Sequence, residues 1–192
     1  MGQTGEQLAT ERNGSLPPVD VAACAALAQR GLLFSYWAHR QPELTAIHSA
    51  RGDRTFGELN ANANRVLAVM RQCGLSAGSR VAVLCGNIPE FVEVMLACQR
   101  GGLRFTPINW HLAPDEIAYI VRDSGADALV VDAPFAEKLS STDLSPLGCR
   151  LAVGETMPGF RSYASALEEH SGTDPVDAAL GGTCLLYTSP SP

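Results

Sequence analysis

Two stretches of this chain carry residues suited to holding an anion. The first is Cys85-Gly-Asn-Ile-Pro89, where an apolar run gives way to a helical pattern. A turn at such a point can aim free amides at a negative charge. It lacks the Gly-x-Gly-x-x-Gly spacing of a dinucleotide loop, so a structural turn is the better reading. The second is Tyr187-Thr-Ser189, whose hydroxyls and amides follow an apolar stretch and can open a phosphate-cradling loop. Alone it is a weak signal, because Thr and Ser are common in loops. His111, in Ile108-Asn-Trp-His-Leu112, has the chemistry of a general base, but no carboxylate stands at a readable spacing. A hydrogen-bonded loop histidine is expected, with Trp110 as a packing anchor. His39, His48 and His170 carry no local constellation, and Arg51-Gly-Asp-Arg54 reads as a tight turn. With no nucleophile elbow and no metal-binding cluster in view, no catalytic and no metal-ligating residue is assigned.

The elements that would position these residues follow from periodicity. A helix is expected from Asp20 to about Arg40, capped by Asp20 and stopped before Pro42. Thr45 to Thr55 reads as a β-hairpin around a Gly-Asp turn. Thr55-Phe-Gly-Glu58 is a capping box, and the helix it opens places Leu59, Ala63, Val66, Leu67, Met70 and Cys73 on one face before Gly74. Arg80 to Cys85 is a continuous apolar run, typical of a strand covered on both sheet faces. Asn87-Ile-Pro-Glu90 then repeats the cap logic for a helix that buries Phe91, Val94, Met95 and Cys98. Further strands are expected at Leu103 to Ile108, Ala128 to Val131 and Arg150 to Val153, with a helix opened by Pro114 between the first two. Tyr163 to His170 suits a short helix. Strand centres near Val83, Phe105, Val130 and Val153 recur about every 22 to 25 residues, the repeat of β-α units. Right-handed crossovers then put helices on both faces of a parallel sheet. The expected class is α/β, a mostly parallel sheet flanked by helices.

Composition narrows the function. The 192 residues are 46% hydrophobic and 18% charged, which suits one globular domain or a large piece of one. A net charge of −6 argues against nucleic acid as a partner, since such binders normally show a basic face. Gln29 and Arg30 interrupt the longest apolar stretch, so no transmembrane segment is expected, and residues 1–18 lack the order of a signal peptide. The default is a cytoplasmic protein. The six cysteines show no Cys-x-x-Cys pair and no histidine at co-ligand spacing, which favours buried thiols.

The order of these blocks resembles the amino-terminal part of the adenylate-forming enzymes, and among them the fatty-acyl-CoA synthetases. The resemblance is carried by Arg54-Thr-Phe-Gly-Glu-Leu-Asn60, Gly78-Ser-Arg-Val-Ala-Val-Leu84, Asn87 to Cys98 and Gly101 to Leu112, and Asp115 to Gly125 extends it. It implies the incomplete amino-terminal part of that fold and a two-step reaction: ATP activates a carboxylic acid as an acyl-adenylate, and the thiol of coenzyme A takes the acyl group. The implied cofactors are ATP, magnesium (Mg2+) and coenzyme A. The family's phosphate loop reads roughly Tyr-Thr-Ser-Gly-Thr-Thr-Gly-x-Pro-Lys-Gly, so Thr188 and Ser189 are the implied nucleotide-binding residues.

From there the sequence departs. Pro190 and Pro192 replace a glycine and a threonine of the loop, and proline has no amide proton to offer a phosphate. The loop lysine is missing, and Lys138 lies far upstream. The expected organisation is a disordered arm over 1–18, a partial amino-terminal domain over 19–183 and a truncated start of the phosphate loop over 184–192. The stretch Cys184-Leu-Leu-Tyr-Thr-Ser-Pro-Ser-Pro192 also resembles the translation of a transposon-end adapter used in sequencing libraries. The chain alone is expected to be catalytically inactive and to self-associate through an incomplete sheet. The alternative is a natural non-catalytic α/β module that binds a nucleotide or a partner protein.

Overall fold

A computed structural model describes residues 18–180. The arm expected over 1–18 is therefore outside the described residues except for Pro18, and the stretch 184–192 is outside them entirely.

A five-stranded parallel sheet forms the centre. Its strands are β3 (Arg80–Leu84), β4 (Arg104–Pro107), β5 (Ala128–Asp132), β6 (Cys149–Val153) and β7 (Arg161–Ser162), in the spatial order β4-β3-β5-β6-β7. Val81 pairs with Ala128 and Val83 with Val130, so β3 and β5 run in step. Alternate residues of these strands point to opposite faces. Val81, Val83, Val130 and Leu151 join one buried cluster, while Ala82, Leu84, Leu129 and Val131 join another. Both faces being covered explains the unbroken apolar runs.

The first face is covered by α3 (Phe56–Gln72), α4 (Pro89–Arg100) and α6 (Tyr163–Glu168). They contribute Val66, Leu67, Met70, Val94, Cys98 and Ala166. The second face is covered by α5 (Pro114–Asp123) and a 3-10 helix (Ala133–Leu139), through Ile117, Ile120 and Leu139. The α/β class and the parallel sheet expected from the sequence are what the structure shows. The hairpin is present as β1 (Thr45–Ile47) and β2 (Arg54–Thr55), paired antiparallel. The capping box also forms: the Glu58 N–H donates to Thr55 Oγ1 at 3.2 Å, and Thr55 N–H donates to Glu58 at 2.8 Å.

Three local expectations need correction. The single helix over 20–40 is two helices, α1 (Val21–Ala28) and α2 (Leu33–Arg40), although Asp20 does cap the first, accepting from Ala23 N–H at 3.0 Å. The break falls at Gly31, whose φ of +72° only glycine adopts readily. A Cβ there would stand 2.4 Å from the Gln99 carbonyl oxygen, so the chain must turn sharply to pass the end of α4. Asn87 is not a cap. Ile88 takes that position with no side-chain bond, because a residue before proline is held extended and Pro89 becomes the first helical residue. Met95, read as core by period, is 38% exposed on the outer side of α4.

A polar clasp joins the far end of the described chain to the helices. Arg100, at the end of α4, is fully buried. Its Nε donates to the Leu96 carbonyl at 3.2 Å, and Nη1 donates to Asn60 Oδ1 at 3.1 Å and to Asn64 Oδ1. Asp174 Oδ1 accepts from the amides of Asn60 at 2.8 Å and Asn64 at 2.7 Å, and lies 3.9 Å from Arg100. Burial pulls the guanidinium down to about 10, with Asp174 opposing. Just beyond, Ala179 N–H donates to the Arg100 carbonyl at 3.1 Å, and Ala179 makes a parallel bridge with Gly101 beside β4.

Candidate functional site

The path of the chain through the sheet creates one place for a ligand. From β3 the chain crosses by α4 over the first face to β4, at one edge. It then returns by α5 over the second face, past β3, to β5. The connections leaving the neighbouring strands β3 and β5 therefore diverge, and a crevice opens outside their carboxyl ends.

Three strand exits and the hairpin border it. From β3 come Cys85, Gly86 and Asn87, from β4 come Asn109, Trp110 and His111, and from β5 comes Asp132, followed by Phe135. Asp132 is 4% exposed and accepts from Nη1 of Arg51, which reaches across from the hairpin turn, at 2.7 Å. Burial pushes the Cys85 thiol well up, and the Asp132 carboxylate adds to that, so Cys85 stays a neutral thiol at physiological pH. The turn after β3 closes on itself, with Ile88 N–H donating to the Gly86 carbonyl at 2.9 Å. That fits the structural-turn reading of Cys85 to Pro89. Trp110 stacks on Phe135 with ring centroids 5.2 Å apart, the packing role expected of it. The His111 ring lies 3.5 Å from that of Trp110, and the His111 backbone N–H donates to Asn109 Oδ1 at 3.0 Å. Its neighbour is an aromatic face, which does not orient an imidazole as a base.

Beside the crevice, on the α3-α4 face, lies a cavity of about 470 Å³ lined by Arg54, Asn62, Glu90, Glu93, Tyr163 and His170 among others. Glu93 is 1% exposed. It accepts from Asn62 Nδ2 at 2.8 Å and from the Tyr163 hydroxyl at 2.7 Å, and Arg54 Nε lies 3.5 Å away. Burial pushes the Glu93 carboxyl up, although both hydrogen bonds hold it back. Burial likewise raises the Tyr163 phenol. The arrangement fixes the hairpin to α4 and keeps a readily protonated carboxyl at the cavity wall.

Sequence reasoning missed Arg51, Asp132, Glu93 and Tyr163. Asp132 had a signal, as the one carboxylate closing the apolar run Ala128 to Val131. The other three depend on long-range contacts. Two of the histidines find carboxylate partners: His39 lies 3.4 Å from Asp174, and His48 Nδ1 lies 2.8 Å from Asp53 within the hairpin. Thr188 and Ser189 lie outside the described residues. Among the described residues no group of three His, Cys, Asp or Glu side chains converges to hold a metal ion, and no helix is long and apolar enough to cross a membrane.

Fold and crevice together define a doubly wound α/β unit with its ligand edge at the strand carboxyl ends. The profile of the AMP-binding enzyme family matches residues 34–190, and the chain belongs to that family. It is 28% identical over 141 residues to a fatty acid–[acyl-carrier-protein] ligase, ScoC, of Streptomyces coeruleorubidus, covering 73% of this chain and 26% of that protein. It is 30% identical over 155 residues to a feruloyl-CoA synthase of an Amycolatopsis species, covering 80% of this chain and 29% of the relative. Among solved structures, the anthranilate CoA ligase AuaEII in complex with anthranoyl-AMP superposes with a TM-score of 0.70 at 22% identity, over 80% of this chain and 29% of that one. A Mycobacterium tuberculosis fatty acyl CoA synthetase superposes with a TM-score of 0.66 at 26% identity, over 78% and 30%. The chain thus spans under a third of the length of these relatives, and its fold is that of the amino-terminal part of adenylate-forming enzymes.

Proposed function

We propose that this chain is part of an ATP-dependent acyl-CoA synthetase acting on a fatty acid in the cytoplasm. A carboxylate oxygen attacks the α-phosphorus of ATP and pyrophosphate leaves. The coenzyme A thiolate then attacks the acyl carbonyl of the adenylate and AMP leaves. Magnesium travels with the nucleotide phosphates and shields their charge, and no described residue is assigned to it. The observation that carries this reading is the family match over residues 34–190, which takes in Thr188 and Ser189, the residues assigned to begin the phosphate loop. A fatty acid is favoured by the resemblance of the amino-terminal blocks and by the ScoC relative.

The 192-residue chain by itself is inactive in this reading. Pro190 has no amide to offer a phosphate. The single lysine, Lys138, donates its ammonium to the Leu112 carbonyl at 2.9 Å, which commits it to a structural role. Exposed apolar groups such as Val21 and Val176 favour self-association of the isolated chain.

The test is carboxylate-dependent ATP–pyrophosphate exchange. A protein carrying this amino-terminal part with the loop completed as Gly-Thr-Thr-Gly-x-Pro-Lys-Gly and the remainder of an adenylate-forming enzyme is expected to exchange with medium and long fatty acids. Preference for ferulate, indoleacetate or anthranilate would overturn the substrate class. Exchange by the 192-residue chain would overturn its inactivity.

A further inference from the structure

Two buried polar atoms without a hydrogen-bond partner belong to residues that line one cavity, the one of about 470 Å³ beside the crevice. They are Glu90 Oε2 and His170 Nε2. Buried polar atoms are nearly always paired, so an unmet one needs a physical reason. Glu90 stands in the first turn of α4 with its side chain 17% exposed. Its Oε1 lies 3.6 Å from Arg54 Nη2, which leaves the other oxygen without a donor. His170 follows α6. Its carbonyl accepts from Arg65 Nε at 3.2 Å and its backbone N–H donates to the Leu167 carbonyl at 3.2 Å, which fixes the backbone while Nε2 stays unpaired. Glu168, exposed at the end of α6, adds a second carboxylate to the lining. The donors around the cavity are already engaged. Arg65 Nη1 donates to Asn62 Oδ1 at 2.9 Å, while Asn62 Nδ2 and the Tyr163 hydroxyl take up both oxygens of Glu93. Arg54 lies against Glu90 and Glu93. What the cavity has left to offer is three acceptors: two carboxylates and an imidazole nitrogen.

A primary ammonium carries three N–H donors and one positive charge, the complement of that set. Its bonds to carboxylate oxygens are charge-assisted and roughly twice as strong as neutral ones. A carboxylate or phosphate would instead meet like charge from Glu90 and Glu168. We propose that the cavity binds a small primary amine as its ammonium ion, held by Glu90 Oε2, Glu168 and His170 Nε2. Both unmet atoms are shielded from bulk water, and a turn of the soft terminal torsion of each side chain brings them onto the ammonium. The alkyl body lies against Ala164 and Leu167, which also line the cavity. None of these residues borders the crevice, and none takes part in the proposed ligase reaction, so the site stands apart from it.

The experiment titrates the full chain near neutral pH with n-butylamine, which is protonated there. Binding is followed by calorimetry and by the ring-nitrogen NMR resonances of His170. The expected result is saturable binding at one site with a shift of the Nε2 resonance. Tetramethylammonium has the charge without an N–H, and butanol has the chain without the charge. Each should bind about tenfold more weakly, the worth of one hydrogen bond to a charged group. Glu90→Gln should weaken butylamine by about the same factor. Because Glu90 also meets Arg54, Glu168→Gln and His170→Ala repeat the test at side chains that tie no other element into the fold. Both should weaken butylamine and leave the melting temperature of the free chain in place. The proposal is overturned if the amine, tetramethylammonium and butanol bind alike, or if Glu168→Gln and His170→Ala both keep full affinity. It is also overturned if butylamine shows no saturable binding, which would make water the cavity's guest.

Discussion

Removing the Arg51 guanidinium should expose how much the crevice depends on one ion pair. The Asp132 side chain is 6% exposed and the Arg51 side chain 39%, with 2.7 Å between Oδ1 and Nη1. Arg51→Ala strands a carboxylate where little water reaches it. Breaking a fully buried pair costs about 3–5 kcal/mol. Because Arg51 is over a third exposed, solvent screens the pair and the expected loss falls to about 2 kcal/mol. With a urea m-value of about 2 kcal/mol/M for a protein of this size, the midpoint should move down by roughly 1 M. The assay is urea unfolding near neutral pH of the wild type, Arg51→Ala, Asp132→Asn and the double variant. Asp132→Asn removes the charge that Arg51 serves, so the double variant should recover about 1 kcal/mol of the summed losses. If the two losses simply add, or if Arg51→Ala leaves the midpoint in place, the hairpin is held over the crevice by something else.

Three further outcomes follow from the same kind of reasoning. Burial pushes the Asp174 carboxyl up, but the Asn64 and Asn60 amides, His39 and Arg100 outweigh it and hold it below the usual range. Its contribution is then present above the unfolded value near 3.9 and lost as pH falls through the folded one, so Asp174→Ala should flatten the acid limb of a stability–pH curve measured from about pH 5 downward. Glu93 is the opposite case: its raised carboxyl makes stability decline as pH climbs from about 4.3 until Glu93 ionises in the fold. Glu93→Gln should remove that decline in chemical melts taken between pH 4 and 7, and an unchanged profile would show Glu93 to be ionised throughout. Gly31→Ala places a Cβ against the Gln99 carbonyl at a positive φ. It should cost about 2 kcal/mol, a fall in Tm of roughly 4–8 °C, readable by circular dichroism.

The parts of the fold legible in the sequence are those whose cause is local. Arg80 to Cys85 and Ala128 to Val131 are apolar on both parities, and only a strand covered on both faces suits that pattern. Thr55 with Glu58, and Pro114, declared their helix starts by side-chain chemistry alone. The break at Gly31 was hidden, because its reason is the close passage of α4, contributed by residues almost seventy positions later. Met95 sits at helical spacing from buried residues but on the outer side of its helix, where it stays 38% exposed among the described residues. The crevice was half legible. Its strand ends could be read from the β-α repeat, whereas the reach of Arg51 to Asp132 and the meeting of Tyr163 with Glu93 are products of tertiary packing.

The clasp around Arg100 also bears on the order in which the chain can commit to its shape. Every helix and strand that encloses the guanidinium precedes Asp174, so during synthesis the cation is surrounded before its counter-ion has been made. An uncompensated buried charge costs several kcal/mol, comparable with the whole stability margin of a domain. Until residue 174 emerges, the nascent sheet therefore forms reversibly, and docking of the segment after α6 latches it. A chain cut between Glu168 and Asp174 would keep all five strands and nearly all of the apolar core yet forfeit the latch. One carboxylate therefore closes the described part of the fold onto its own core.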